Sequence, residues 1–437
     1  MSTPPPDADQ PFAIESFQNP YLGPGSERVD AILSVTAAGT AGGSSRPLLL
    51  GFVIDTSGSM QGPRIEAVRQ AAATAIGLLE EWAGFFVVTF NNSARVVVPP
   101  SRAGEEARAG ALRALQTLAA AGGTAMSQGL AAARSLFASS PEAIGQCIFL
   151  TDGKNESELA REVTLELERC AGLFSCDCWG VGTDWKVGEV QEIARALLGK
   201  ASLIPEAAGI EAAFREAVAK AQSKSMKGVR LRVWTPAGTE VISCKQVSPT
   251  IEDYTGRSRV VDAQVREYDT GAWGAGEARD YQLALRVKPG NVGDRMLAAR
   301  PSLVFVGPDG GEVEVRSPGA RVFANWTADD ALSSRLDATV AHYNGQDELA
   351  AAIQKGLEAR EQGDEGTATD LLGRAVKIAH ESGNADMTTR LKKVVDVLDP
   401  AQGTVLLKKT VSKVATMDLE LESTTTRRAR RPGGEGG

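Results

Sequence analysis

Phe52-Val53-Ile54-Asp55-Thr56-Ser57-Gly58-Ser59-Met60 decides the fold of this chain. The apolar run from Leu48 to Ile54 predicts a strand buried on both faces, and it stops abruptly in a carboxylate and two hydroxyls. Gly62-Pro63 then opens a helix, because proline is pre-organised for the first helical turn. Polar groups are thereby delivered to the C-terminal edge of a strand, where open α/β sheets build their sites. Asp55, Ser57 and Ser59 alternate along the chain, and hard oxygens at that spacing can converge on one small dication. Mg²⁺ is the natural occupant, with Mn²⁺ or Ca²⁺ as alternatives, since it accepts carboxylate, hydroxyl and water oxygens.

Two further stretches repeat this logic. Gly122-Gly123-Thr124 precedes a helical pattern, with glycines that let a backbone come close and a hydroxyl at the turn. Ile148-Phe149-Leu150-Thr151-Asp152-Gly153 is a second hydrophobic strand ending in a carboxylate. On these residues the chain resembles the von Willebrand factor A (VWA) domains with their metal-ion-dependent adhesion site (MIDAS). That pattern is Asp-x-Ser-x-Ser on the first strand, a Thr in a later loop and an Asp ending the fourth strand. The matching positions are Asp55, Ser57, Ser59, Thr124 and Asp152. Gly180-Val181-Gly182-Thr183-Asp184-Trp185 resembles the form found in bacterial members, and the resemblance spans roughly residues 46 to 223. It implies that Ser57, Ser59 and Thr124 contact the ion directly or through water, while the two aspartates orient waters or switch between modes. It also implies that a partner protein completes the shell with a Glu or Asp, and that no bond need be broken.

From 46 onward the hydrophobic period switches repeatedly between strand and helix, which predicts an α/β fold with a doubly wound, mostly parallel, Rossmann-like sheet. A hairpin through Asn91-Asn92-Ser93 supplies one antiparallel edge strand. After 223 the texture changes to short alternating strands with Gly, Pro and Asp turns, which predicts an accessory β-sandwich. The strands expected at Phe12–Phe17 and 28–36 are assigned to that sandwich, making the α/β domain an insertion in it. Beyond Trp326 the period is helical again, and four helices are expected: around Leu332 to Val340, Leu349 to Leu357, Ala368 to Ala375 and Leu391 to Leu398. Asn344-Gly345, Gly363 to Gly366 and Ser382-Gly383 read as the breaks of a small C-terminal helical bundle. The expected organisation is a disordered N-terminus at 1–10, sandwich strands at 11–45, the VWA domain at 46–223, the β-sandwich at 224–325, the helical bundle at 326–399 and a flexible tail at 400–437.

The chain has 437 residues, 43% hydrophobic and 23% charged, an ordinary composition for two or three domains. A net charge of -8 disfavours nucleic acid as a general partner. No apolar run reaches the roughly 18 residues that span a bilayer, and Met-Ser-Thr-Pro-Pro-Pro-Asp carries no signal-peptide pattern. Five scattered cysteines, an odd number, favour a reducing cytoplasm. Cys176 and Cys178 form a C-x-C that would suit a metal, but their strand setting favours small apolar residues facing one side. The two histidines, His342 and His380, lie outside the α/β region, so a His-dependent nucleophile there is not expected.

A non-enzymatic, Mg²⁺-dependent protein-binding module or scaffold is the resulting expectation. Two alternatives are a metal-dependent phosphoryl-transfer enzyme and a scaffold that works through its helices with an idle MIDAS. The enzyme would want a nucleophile, an acid or base and cations for the phosphate; Lys154 and Asn155 are near, but no second aspartate follows Asp55 at plus two. In the tail, Thr424, Thr425 and Thr426 stand between an acidic run and Arg427 to Arg431. Their plain reading is a solvated polar tail. Their sharper reading is phosphorylation by a Ser/Thr kinase and recognition by a forkhead-associated domain protein, a pairing that rests on analogy with bacterial members.

Overall fold

The computed structural model describes residues 10–38, 47–307 and 309–429. The expected disorder at 1–9, the expected α/β start at 46 and the last residues from 430 lie outside the described residues.

The described residues within 41–228 and 270–275 form one compact unit. Its sheet consists of β1 (Leu48–Asp55), β2 (Gly84–Phe90), β3 (Ala94–Arg102), β4 (Ile144–Thr151), β5 (Ser175–Val181) and β6 (Ala201–Ile204). Their spatial order is 3-2-1-4-5-6, and every neighbouring pair is parallel except β2 with β3. Helices α1 (Pro63–Leu78), α2 (Glu105–Gln116), α3 (Met126–Ala138), α4 (Ala160–Cys170), α5 (Val187–Ala196) and α6 (Ile210–Gln222) cover it. All eight residues of β1 and all eight of β4 are buried, as two covered faces require. Leu50, Phe52 and Ile54 join α1 and α6 in one core, where Phe52 stacks on Phe214 at 5.5 Å. On the other face α3 sits close because Gly129 has no side chain; a Cβ there would lie 2.8 Å from Phe90 and 3.0 Å from Val53. Cys176 and Cys178 are buried inside β5 with free thiols. The strand order reverses between β1 and β4, so the crevice that such sheets use for ligands opens between Asp55 and Asp152.

The second unit comprises the described residues within 1–40, 229–269 and 276–437. One antiparallel sheet places Arg28–Ala37 between Phe12–Phe17 and Ala278–Arg286, followed by Glu240–Ser248 and Glu252–Asp253. A second sheet includes Arg295–Val306, with Val322–Trp326 and Glu312–Val315 beside it. Phe12 of one sheet meets Phe305 of the other edge-on at 5.8 Å. Glu267 is buried in this unit between Arg230, Arg232 and Arg259.

Several helical expectations are corrected. Asn344-Gly345 does not break a helix: Ala338–Glu361 is continuous, capped by Asp337, which accepts from Thr339 N and Val340 N. The cost of an interior glycine, about 1 kcal/mol, is outweighed because Val340 and Tyr343 bury in one core cluster before it and Leu349 and Ile353 in another after it. The real break falls before Asp337, after a four-residue helix at Asp330–Ser333. Helix Ala385–Val394 stops before Val395 and Leu398, which belong instead to strand Val395–Asp399, paired with Thr404–Leu407. The β-branched Val394-Val395 and Val397 favour that pairing over another helical turn.

The flexible tail is corrected too, for residues 404–429. After Thr404–Leu407 comes helix Lys413–Glu422, whose Leu419 belongs to the helical core with Leu372, Leu391 and Val405. Ile251 N donates to Thr424 O at 2.8 Å and Thr426 N to Pro249 O at 2.9 Å, so the segment is tied through an isolated β-bridge to the loop after Glu240–Ser248. Arg428 pairs with Asp280 at 3.1 Å, and Asp280 is only 2% exposed. Its second partner is the Tyr343 hydroxyl. Among the described residues no helix is long and apolar enough to cross a membrane.

Candidate metal centre

Asp55 closes β1 and is completely buried. Its Oδ1 accepts from Ser57 N at 2.7 Å and its Oδ2 from the Thr151 hydroxyl at 2.6 Å. Burial pushes its pKa up to about 6, against the pull of those hydrogen bonds. Its donors are neutral, so its charge is solvated by dipoles and not cancelled. Ser57 Oγ lies 3.0 Å from Ser59 Oγ, and Ser59 donates to Asp152 Oδ1 at 2.6 Å. Asp152, also completely buried, gives its other oxygen to the Arg64 guanidinium.

Thr124 is brought to these groups by main-chain zippers. Gly58 N donates to Gly122 O at 2.9 Å and Ala121 N to Thr56 O at 2.8 Å, tying the loop before α3 to the loop after β1. Asn92 accepts from Gly123 N, and Ser157 from Thr124 N, each at 3.0 Å. Residues of the loop after β4 cap α3 from outside: Asn155 accepts from Met126 N at 3.1 Å and Glu158 from Ser127 N at 2.8 Å. The result converges at Gly153. A Cβ there would lie 3.0 Å from Thr124 Oγ1, 3.5 Å from Ser59 Oγ and 3.9 Å from Asp55 Oδ2. Oxygens from two loops thus face one point beside Gly153 of a third, in a cavity of about 420 Å³ whose wall includes Ser57, Thr124, Asp152, Lys154 and Asp184.

All five expected residues, Asp55, Ser57, Ser59, Thr124 and Asp152, meet there. The donor set is two carboxylates and three hydroxyls, all hard oxygens, and it suits Mg²⁺ or a similar dication. Among the described residues no three His, Cys, Asp or Glu side chains cluster as a metal site. An ion held here would draw on the hydroxyls as well as on the two carboxylates.

Several residues of the centre were given no role by sequence reasoning. Thr151 orients Asp55, Arg64 pairs with Asp152, and Asp184 lies 3.4 Å from Arg64. The Gly-Val-Gly-Thr-Asp-Trp stretch is legible afterwards: a Cβ on Gly180 would run 1.9 Å from the Trp185 ring, and one on Gly182 would meet Arg64 at 3.0 Å. Trp185 donates to Gly182 O at 3.0 Å, so this loop folds onto its own indole and presents Asp184.

The three threonines are placed in the second unit. Thr426 is buried and its hydroxyl donates to Val247 O; Thr425 bridges Thr250, with its own hydroxyl buried; Thr424 donates to Leu421 O at 3.3 Å.

Residues 50–154 match the family model described as von Willebrand factor type A domain, and residues 377–423 the one described as von Willebrand factor type A C-terminal domain. The solved structure of a von Willebrand factor type A protein from Catenulispora acidiphila is 40% identical, with a TM-score of 0.88, covering 96% of this chain and 97% of that one. The chain belongs to the von Willebrand factor type A family. Domains of this family generally mediate protein–protein interactions and often bind a metal. The ArnB paralog VWA2 from Sulfolobus acidocaldarius, 16% identical with a TM-score of 0.62, shares the fold over 95% of this chain and 98% of that one. A Synechocystis protein described as uncharacterized is 28% identical over 228 residues, 50% of this chain. The chain spans about half, 53%, of that relative's length.

Proposed function

We propose that this von Willebrand factor type A chain is a cation-dependent protein-binding module or scaffold and not an enzyme. Asp55, Ser57, Ser59, Thr124 and Asp152 would hold the ion, with Mg²⁺ favoured over Mn²⁺ or Ca²⁺ by the hard donor set. The convergence of three loops on the space beside Gly153 carries this reading. When bound, the ion supplies a Lewis-acidic position for a Glu or Asp of a partner protein. This chain's own residues bind and orient: Thr151 and Ser57 N hold Asp55, and Ser59 steadies Asp152.

The phosphoryl-transfer alternative is weakened by Asn155, whose side-chain oxygen is spent on capping α3. Thr424 to Thr426 as phosphorylation sites for a Ser/Thr kinase, read by a forkhead-associated domain, require the segment to lift off first. The five unpaired cysteines support a cytoplasmic setting.

The deciding experiment is an affinity pulldown from native lysate with wild type and Asp55→Ala, each in Mg²⁺ and in EDTA. Partners recovered only by wild type in Mg²⁺ are expected. Partners indifferent to both changes would shift the function to the sheets or helices and leave the centre idle.

A further inference from the structure

Arg64 stands where helix physics disfavours it. It is the second residue of α1, after Pro63, in the first turn, where the helix dipole repels a cation. It is nevertheless held from several sides. Its guanidinium bonds Asp152 and lies 3.4 Å from both Asp184 Oδ2 and Ser59 O. It also packs on Gly182, whose φ of 70° and missing Cβ give it room.

We infer that Arg64 sets the charge of the centre so that cation and anionic ligand bind interdependently, an inference that rests on the metal-binding reading above. The charges within the cluster are Asp55 and Asp152, each negative, and Arg64, positive. Their sum is a single negative charge. A dication therefore leaves the loaded centre with a net positive charge, and an incoming carboxylate restores neutrality. Without Arg64 the two aspartates neutralise the dication by themselves, and the need for an anion disappears. Asp184 does not reverse this count, because its side chain is 63% exposed and its field is screened by water. Lys154 and Glu156, both exposed on the rim, have opposite signs and offset each other. Arg64 is thus a positioning residue that acts through Asp152: it favours a carboxylate-bearing partner by making the bare cation complex electrostatically incomplete.

The test is calorimetric titration of Mn²⁺ into wild type, Arg64→Gln and Arg64→Lys, at constant ionic strength in chloride, with and without sodium acetate as the carboxylate probe. Glutamine keeps hydrogen-bond donors near Asp152 without the charge; lysine keeps the charge. Without acetate, Arg64→Gln should bind Mn²⁺ about tenfold more tightly than wild type, the effect of one nearby partly screened charge. Acetate should tighten Mn²⁺ binding in wild type and Arg64→Lys, and do little in Arg64→Gln. Weaker Mn²⁺ binding by Arg64→Gln, or an acetate effect equal in all three proteins, would overturn the inference and leave the metal reading standing. Folded wild type that binds no Mn²⁺ at all would overturn both.

Discussion

Two carboxylates at strand positions, Asp55 and Asp280, are both removed from water, and they are treated in opposite ways. Asp55 is held by an amide two residues away and a hydroxyl from the neighbouring strand, all neutral donors. Asp280 is held by Tyr343 and by the guanidinium of Arg428, from the far C-terminal segment. Dipoles fix a carboxylate and leave its charge available to an incoming ion; a guanidinium cancels the charge and closes the site. The first arrangement suits binding, and the second suits clasping a segment distant in sequence. Asp152 lies between them, with one oxygen on a hydroxyl and the other on Arg64.

The largest expected effect tests the closed pair. Arg428→Ala leaves Asp280 buried with the tyrosine hydroxyl but without its counterion. Breaking a buried pair costs about 3–5 kcal/mol, and roughly 2–3 kcal/mol remains once the partial exposure of Arg428 is discounted. An unfolding free energy from denaturant titration lowered by that amount is expected, with most of it recovered when Asp280→Asn is added to Arg428→Ala. A loss within about 0.5 kcal/mol would mean that the segment is not clasped, and the contrast with Asp55 would collapse.

These two sites also differ in how far a sequence reader can see them. The doubly wound sheet and the five oxygen-bearing residues were legible because each segment carries its own signal: an apolar strand, then Asp or Ser or Thr at its end, in the order the fold requires. Thr151 and Arg64 escaped, since a threonine finishing a strand and an arginine starting a helix both read as ordinary solvated residues. The clasp was illegible for a different reason. Arg428 also donates to Ser34 at 2.6 Å, across 394 residues of sequence, and no local pattern reports such a partner. Glycines and charges around it favoured a tail, although Leu419 and Leu421 on helix Lys413–Glu422 are buried. The run through Asn344-Gly345 misled in the same way, because a local break signal was overridden by burial on either side of it.

A smaller effect tests the open carboxylate. With its folded pKa near 6, against 3.8 for an ordinary aspartate, Asp55 is protonated in the native state over a range where the unfolded chain has already ionised. Its contribution to stability is complete below about 4 and is lost as pH rises toward 6. In chelator, wild type should therefore lose on the order of 1–2 kcal/mol relative to Asp55→Asn across that window. Saturating Mg²⁺ should abolish the loss by supplying the missing charge. An identical pH profile for the two proteins would show that Asp55 is already neutralised from within, as Asp280 is.

The smallest change in stability, and the sharpest probe of where an ion sits, is Gly153→Ala. Gly153 does not have positive φ, so alanine meets no backbone penalty there. The added methyl would face Thr124 Oγ1 at 3.0 Å, close enough to displace that hydroxyl by a few tenths of an ångström. It would also fill the space that Ser59 and Asp55 face with an apolar group, while every charge and every donor of the centre is retained. Melting in chelator should change by no more than about 1 kcal/mol, whereas Mn²⁺ affinity should fall by about tenfold or more, as displaced ligand geometry does elsewhere. Calorimetric titration beside a thermal melt separates the two. Unaltered affinity would place the ion away from the point where the three loops converge, and the neutral donors around Asp55 would then be a way of tolerating a buried acid and not of offering it.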